Sequence, residues 1–214
     1  MKSTQTAKHA GEIIRRLKDE YRNAGIVLNY SNDFELLVAV ILSAQCTDKK
    51  VNEVTTELFK KYTVVGDYAE ADLKELEKDV RPTGFFRNKA QNIKGAAVMV
   101  LEKFGGKIPS TMDEILELPG VARKTANIVL GNAYGVVVGI AVDTHVKRLS
   151  RRLGLSKNEN PDKIERDLME IIPNAEWFGF TYLMIEHGRA ICDAKKPRCD
   201  KCLLNDVCPS AFKV

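Results

Sequence analysis

Residues 118–126 read Leu118-Pro119-Gly120-Val121-Ala122-Arg123-Lys124-Thr125-Ala126. Helical patterning over 111–118 runs into the Pro-Gly pair, and a second helical pattern over 123–134 begins almost at once. That is the punctuation of two helices joined by a tight turn. Gly120 admits a positive φ and the close approach of another backbone. The first N–H groups of the second helix leave the turn with the positive end of the helix dipole behind them, a ready place for a phosphate. An ordinary helical hairpin uses the same turn, so the turn alone fixes architecture rather than chemistry.

The helical period continues in both directions. Ile13, Ile14, Leu17 and Tyr21 share one face. Asp33 reads as the N-cap before FELLVAVILSA, and Asp48 as the cap before KKVNEVTTELFKKY. Further helices are expected over 72–80, 89–104, 144–153, 161–172 and 177–190, with breaks at Pro82-Thr83-Gly84, Gly105-Gly106, Gly135 and Pro173. VVVGIAV, at 136–142, is the one β-like run; without a partner run it is expected to be a buried extended connector. The fold class is therefore all-α, with roughly ten helices.

The chain has 214 residues, 44% hydrophobic and 29% charged, with a formal net charge of +4. This is ordinary globular composition and argues against wholesale disorder. The mild positive charge is compatible with a nucleic-acid partner without requiring one. No stretch approaches the ~20 apolar residues of a membrane span, and the N-terminal segment has no apolar signal core. The expectation is an intracellular, cytoplasmic protein, nucleoid-associated if prokaryotic, with no membrane partner.

Four of the five cysteines, Cys192, Cys199, Cys202 and Cys208, form a C-x6-C-x2-C-x5-C cluster. Without an export signal, such a cluster reads as metal-binding rather than disulfide-forming. The spacing alone leaves zinc and an iron–sulfur centre both open.

Lys124 stands just inside the second hairpin helix, and Asp143 follows 19 residues later in Ala141-Val-Asp-Thr-His-Val146. A solvated helix lysine and an N-cap aspartate are the plain readings. The reactive ones are an amine nucleophile and a carboxylate that stabilises developing positive charge.

Three features in this order, the LPGVARKTA hairpin, the AVDTHV segment and the cysteine spacing, resemble the endonuclease III family of helix–hairpin–helix DNA glycosylases. The resemblance runs from about Ile13 to Cys208. It implies two helical lobes with a DNA groove between them: a six-helix barrel domain over 27–137 containing the hairpin, and a domain of 1–26 plus 138–214 carrying a C-terminal [4Fe–4S] cluster held by the four cysteines. It implies a bifunctional enzyme of base excision repair that removes oxidised pyrimidines from duplex DNA, then nicks the abasic site on its 3′ side by β-elimination. Lys124 would be the Schiff-base nucleophile and Asp143 the catalytic carboxylate. The partner would be double-stranded DNA with damaged or abasic sites, bound by a monomer.

The same resemblance assigns DNA contacts to Gly120, Ala122 and Arg123, with Ala122 standing where the hairpin usually has a second glycine. Leu42-Ser-Ala-Gln-Cys-Thr-Asp48 looks like the loop whose glutamine fills the gap left by an extruded nucleotide, which points to Gln45. Phe85, in Pro82-Thr-Gly-Phe-Phe-Arg-Asn-Lys-Ala90, stands where a leucine usually wedges the opposite strand, although a phenylalanine there equally suits a core. Ser43, Asp48 and His145 are candidates for the pocket. Competing readings are a non-catalytic DNA-binding module, a glycosylase for mispaired or alkylated bases, and an iron–sulfur electron carrier. The last has no use for the hairpin or the Lys–Asp pair.

Overall fold

The computed structural model describes residues 2–213; Met1 and Val214, the outer ends of the second expected domain, lie outside the described residues. Among the described residues there are eleven α-helices, three short 3-10 turns and no strand. The helices are α1 (Lys2–Glu20), α2 (Asp33–Leu42), α3 (Asp48–Lys61), α4 (Val65–Glu70), α5 (Leu73–Val80), α6 (Phe86–Phe104), α7 (Met112–Ile115), α8 (Arg123–Tyr134), α9 (Thr144–Arg152), α10 (Pro161–Ile171) and α11 (Trp177–Ala190). None of them is long and apolar enough to cross a membrane.

The chain divides into two compact units: an inserted unit, Val27–Val136, and a split unit, Met1–Ile26 with Val137–Val214. The inserted unit is organised by α2, whose residues from Phe34 to Leu42 are all buried. A helix apolar on every face has to be surrounded, and α3, α6 and α8 pack against it. In the split unit, α1, α9, α10 and α11 enclose a core that includes Ile13, Leu17, Val146, Leu149, Leu168, Phe180 and Met184. Arg16 ties α1 to the C-terminal loop, forking onto both carboxylate oxygens of Asp206 at 2.6 and 3.0 Å and donating to Leu203 O at 2.9 Å.

The helix starts differ in detail from those expected. Asn32, not Asp33, caps α2 by accepting from Glu35 N, and Thr47, not Asp48, caps α3 by accepting from Lys50 N. In both places two good capping residues are adjacent, and the one that leaves helical φ,ψ takes the role. The helix expected over 111–118 shortens to α7, because Leu118 must turn into the hairpin. The run 136–142 is irregular, with Ile140 and Ala141 buried and Ala141 O accepting from Thr181 Oγ1.

Leu17 has no exposed surface and packs in the split unit's core. Leu17→Ala is expected to lower unfolding free energy by about 2–5 kcal/mol. The only tryptophan, Trp177, packs on the same core, so its fluorescence in a urea titration reads the loss as a lower midpoint.

Candidate active site and thiol cluster

The hairpin belongs to the inserted unit. Leu118 and Val121 are buried and anchor it, with Val121 N donating to Leu118 O at 3.1 Å, while Gly120 and Ala122 between and beyond them are exposed. Gly120 has φ +79°, and a Cβ there would lie 2.7 Å from Asn92 Cβ on α6; one turn along, a Cβ on Gly95 would meet Pro119 at 3.2 Å. The glycine is therefore required by packing as well as by backbone conformation. A larger residue at Gly120 strains the turn itself.

Ala122 is the N-cap of α8, and no side chain caps that helix. This contrasts with α2, α3, α5, α9 and α10, capped by Asn32, Thr47, Asp72, Asp143 and Asn160. Arg123 and Lys124 open α8; Lys124 is exposed and Arg123 partly so. An amine here stands in the first turn beyond an amide-rich helix start.

Two more loops of the inserted unit carry predicted residues. Gln45 and Phe85 are both exposed, Phe85 by 63%, which removes the reading of Phe85 as core. Both hold left-handed backbone conformations, at φ 52° and 47°. Outside glycine such conformations are uncommon and tend to gather at functional sites. Ser43 has its hydroxyl committed to Val40 O at 2.8 Å. Asp48 is the first residue of α3 and half-buried.

Asp143 belongs to the split unit and does cap a helix. Its Oδ1 accepts from His145 N and Val146 N, each at 2.8 Å, and its Oδ2 lies 2.9 Å from His145 Nδ1. The carboxylate is thus fixed at three points, with its side chain 12% exposed. His145 in turn packs so closely on α11 that a Cβ at Gly188 would meet its ring carbon at 2.7 Å. Nothing in the motif or spacing around Gly188 singles it out before folding.

Cys192, Cys199, Cys202 and Cys208 line one cavity with Arg152 and His187. Burial pushes the Cys202 and Cys208 thiols up, and the neighbouring cysteines add to the effect. Among the described residues no three His, Cys, Asp or Glu side chains are grouped as donors to one metal ion. All four thiols face the same cavity, a donor set whose chemistry suits a thiolate-held metal centre. Around them, Arg152 Nη1 lies 3.3 Å from Cys192 Sγ and Leu204 N lies 3.4 Å from Cys202 Sγ. His187 Nε2 lies 3.4 Å from Cys202 Sγ while its Nδ1 meets Tyr21 Oη at 3.1 Å. Partners of this kind orient ligands and tune a centre. Their dispersal along the chain hid them from the sequence. Lys195, Lys196, Arg198 and Lys201 on the same loop are exposed, and Asp193 Oδ1 accepts from Lys195 N and Lys196 N.

Comparison with known proteins converges with this geometry. Residues 38–174 match the model of the HhH-GPD superfamily base excision DNA repair protein. Endonuclease III of Synechocystis sp. is 51% identical, over 98% of this chain and 96% of that protein; endonuclease III of Bacillus subtilis is 45% identical, over 92% and 90%. The solved structure of a trapped endonuclease III–DNA covalent intermediate superposes with a TM-score of 0.92 at 43% identity, covering 96% of each chain. With a family model spanning more than half its length and such identities across nearly all of it, this chain belongs to the endonuclease III family within the HhH-GPD superfamily of base excision DNA repair proteins.

Proposed function

We propose that Lys124 is the nucleophile and Asp143 the catalytic carboxylate with which this base excision glycosylase and lyase removes oxidised pyrimidines from double-stranded DNA. The observation that carries the assignment is the exposed Lys124 amine in the first turn of α8, directly after a hairpin whose helix start has no side-chain cap. A backbone phosphate held by those amides brings a neighbouring sugar to the amine, without reading sequence. The damaged nucleotide leaves the stack because its C1′ cannot be reached inside the duplex. Gln45 fills the gap and Phe85 enters against the opposite strand, both from loops that already project.

Lys124 Nζ attacks C1′, the glycosidic bond breaks, and the base departs with the bonding pair and takes up a proton. Opening of the sugar ring gives an imine between Nζ and C1′. Loss of a C2′ proton then expels the 3′ phosphate, nicking the strand on the 3′ side of the lesion. The covalent route divides one difficult step into easier ones. Asp143 stabilises the positive charge that develops on the sugar and relays protons. Its three-point anchoring keeps it in place without reorganisation.

Cys192, Cys199, Cys202 and Cys208 would hold a [4Fe–4S] cluster. Membership of the family and the C-x6-C-x2-C-x5-C spacing support an iron–sulfur centre over a lone zinc ion, and the four thiols face one cavity. Held there, such a centre would brace the C-terminal loop, whose exposed Lys195, Lys196, Arg198 and Lys201 would meet DNA phosphates.

Three outcomes test this reading. Lys124→Gln should abolish both strand cleavage and the borohydride-trapped adduct with abasic DNA while leaving duplex affinity within about threefold, because only the nucleophile is lost; cleavage and trapping at the wild-type rate would move the nucleophile elsewhere. Ala122→Asp adds the missing cap to α8 and should hold or raise thermal stability, a cap being worth about 1 kcal/mol. Its carboxylate should nonetheless weaken binding to every duplex by about tenfold at low salt; unchanged affinity would make the hairpin only a structural turn. Purified protein should contain about four irons per chain, and Cys202→Ser should lose them whereas Cys46→Ser retains them; stoichiometric zinc after anaerobic purification would sink the cluster assignment.

A further inference from the structure

One buried side chain ties together the two loops that carry Gln45 and Phe85. Lys89, in the first turn of α6, is only 4% exposed, and its Nζ donates to Leu42 O and to Thr83 O, each at 2.8 Å. Leu42 is the last residue of α2, a helix with no basic residue in its own last turn. Carbonyls at a helix end lack helical partners, and a cation there also meets the negative end of the dipole. The chain turns away just beyond: Cys46 N donates to Ser43 O, and Gln45 between them is left-handed.

On the other side, Thr83 closes the 3-10 turn Arg81–Thr83, and Gly84 leads into the left-handed Phe85. Lys89 reaches this loop twice, through Nζ to Thr83 O and through its main-chain N–H to Phe85 O at 3.1 Å. A single residue thus holds the carbonyl three positions before Gln45 and the carbonyls on both sides of Gly84. Left-handed non-glycine residues persist only where their surroundings over-determine them, and at these two positions Lys89 is the shared constraint. Burial pushes its ammonium below the ordinary lysine value. An ammonium so enclosed is kept for bonds that an apolar residue cannot make.

We propose that Lys89 is a positioning residue that fixes the Gln45 and Phe85 loops at one separation, so that the two side chains enter the duplex as a preformed pair. The proposal rests on the DNA-inserting roles given to those residues above. Lys89 touches neither DNA nor the reacting sugar; it acts on base extrusion through the two probes.

A cycle of variants tests this, read as single-turnover release of an oxidised pyrimidine from duplex DNA. Lys89→Met keeps length and bulk and removes the donors. It should slow base release by about tenfold or more, with cleavage of a preformed abasic site falling by less than about threefold, because an abasic nucleotide has no stacked base to extrude. In a Gln45→Ala/Phe85→Ala background the same substitution should cost less than about twofold, since residues acting through one another are not additive. Equal loss on both substrates, or an undiminished loss in the background lacking both probes, overturns the proposal and leaves Lys89 a stabilising residue only. If circular dichroism shows Lys89→Met unfolded, Lys89→Gln, with N–H donors on a shorter stem, goes through the same cycle and is judged by the same outcomes. Wild-type protein that releases no oxidised base would instead remove the reading of the site itself, however the cycle falls.

Discussion

Each helix end leaves backbone groups without helical partners, and what satisfies them decides most of what this molecule presents to its surroundings. The end of α2 is the most constrained of these. The helix is buried from Phe34 to its last residue, Leu42, so its final carbonyl has little access to water, and an orphaned carbonyl there would carry a full desolvation cost. Lys89 answers it from another helix, and by doing so brings the 3-10 turn before Phe85 up against the turn before Gln45. The start of α9 is answered locally, by the Asp143 carboxylate on two amides. The start of α8 receives an alanine. The three solutions differ in kind: a cation supplied from another helix, a carboxylate supplied locally, and a helix start with no side-chain cap, which the proposed function assigns to a DNA phosphate.

The thiol region obeys a related constraint. Four cysteine sulfurs gathered in one partly buried place repel one another as thiolates, which is why burial and neighbouring sulfurs act in the same direction on Cys202 and Cys208. The nearby histidine does not relieve this with charge. Burial pushes His187 down to about 4, so it faces Cys202 as a neutral ring. Arg152 brings a cation within reach of a sulfur, and it also holds Asp193 O at 2.7 Å and Ala194 O at 2.9 Å, so the same side chain shapes the loop that the sulfurs sit on. The bidentate Arg16–Asp206 pair fastens the far end of that loop to α1. This pair adds to the shared core, reaching from Ile13 and Leu17 to Leu204, that makes one unit from both ends of the sequence.

Residue patterning made the helical class, the hairpin turn, the absence of a strand at 136–142 and the gathering of four cysteines legible, because each depends on local chemistry or short spacing; the expected burial of that connector holds for Gly139 to Ala141 but not for the exposed Val138. The caps of α2 and α3 were each misplaced by one residue, since Asn32-Asp33 and Thr47-Asp48 offer two capping side chains and propensity does not say which leaves the helix. The six-residue α4 had too short a period to notice. Lys89 was the larger omission. In sequence it is one more lysine at the start of a helix, and its partners lie 6 and 47 residues away. Only the packing of α2 against α6 shows that it is buried. The same is true of His187 and Gly188, whose importance lies in what they touch across 15 and more residues.

The left-handed turns at Gln45 and Phe85 are the places where local preference and structure disagree most. A residue held in such a conformation costs on the order of 1–3 kcal/mol, and glycine at either position would largely remove the cost. Glycine would also remove the side chain. For Phe85 the exposure of 63% adds an apolar surface in water to the backbone strain. A side chain left 63% exposed on left-handed backbone gains little from packing in the free protein. In the reading proposed above, a duplex receives it. A base stack, apolar on its faces and opened by the departure of one nucleotide, has both the shape and the chemistry to do so. On this view the strain in the two loops is set against binding energy that appears only when a duplex with an extrudable nucleotide is engaged, and the rigidity of the buried α2–Lys89 junction is what keeps that energy from being lost to loop relaxation.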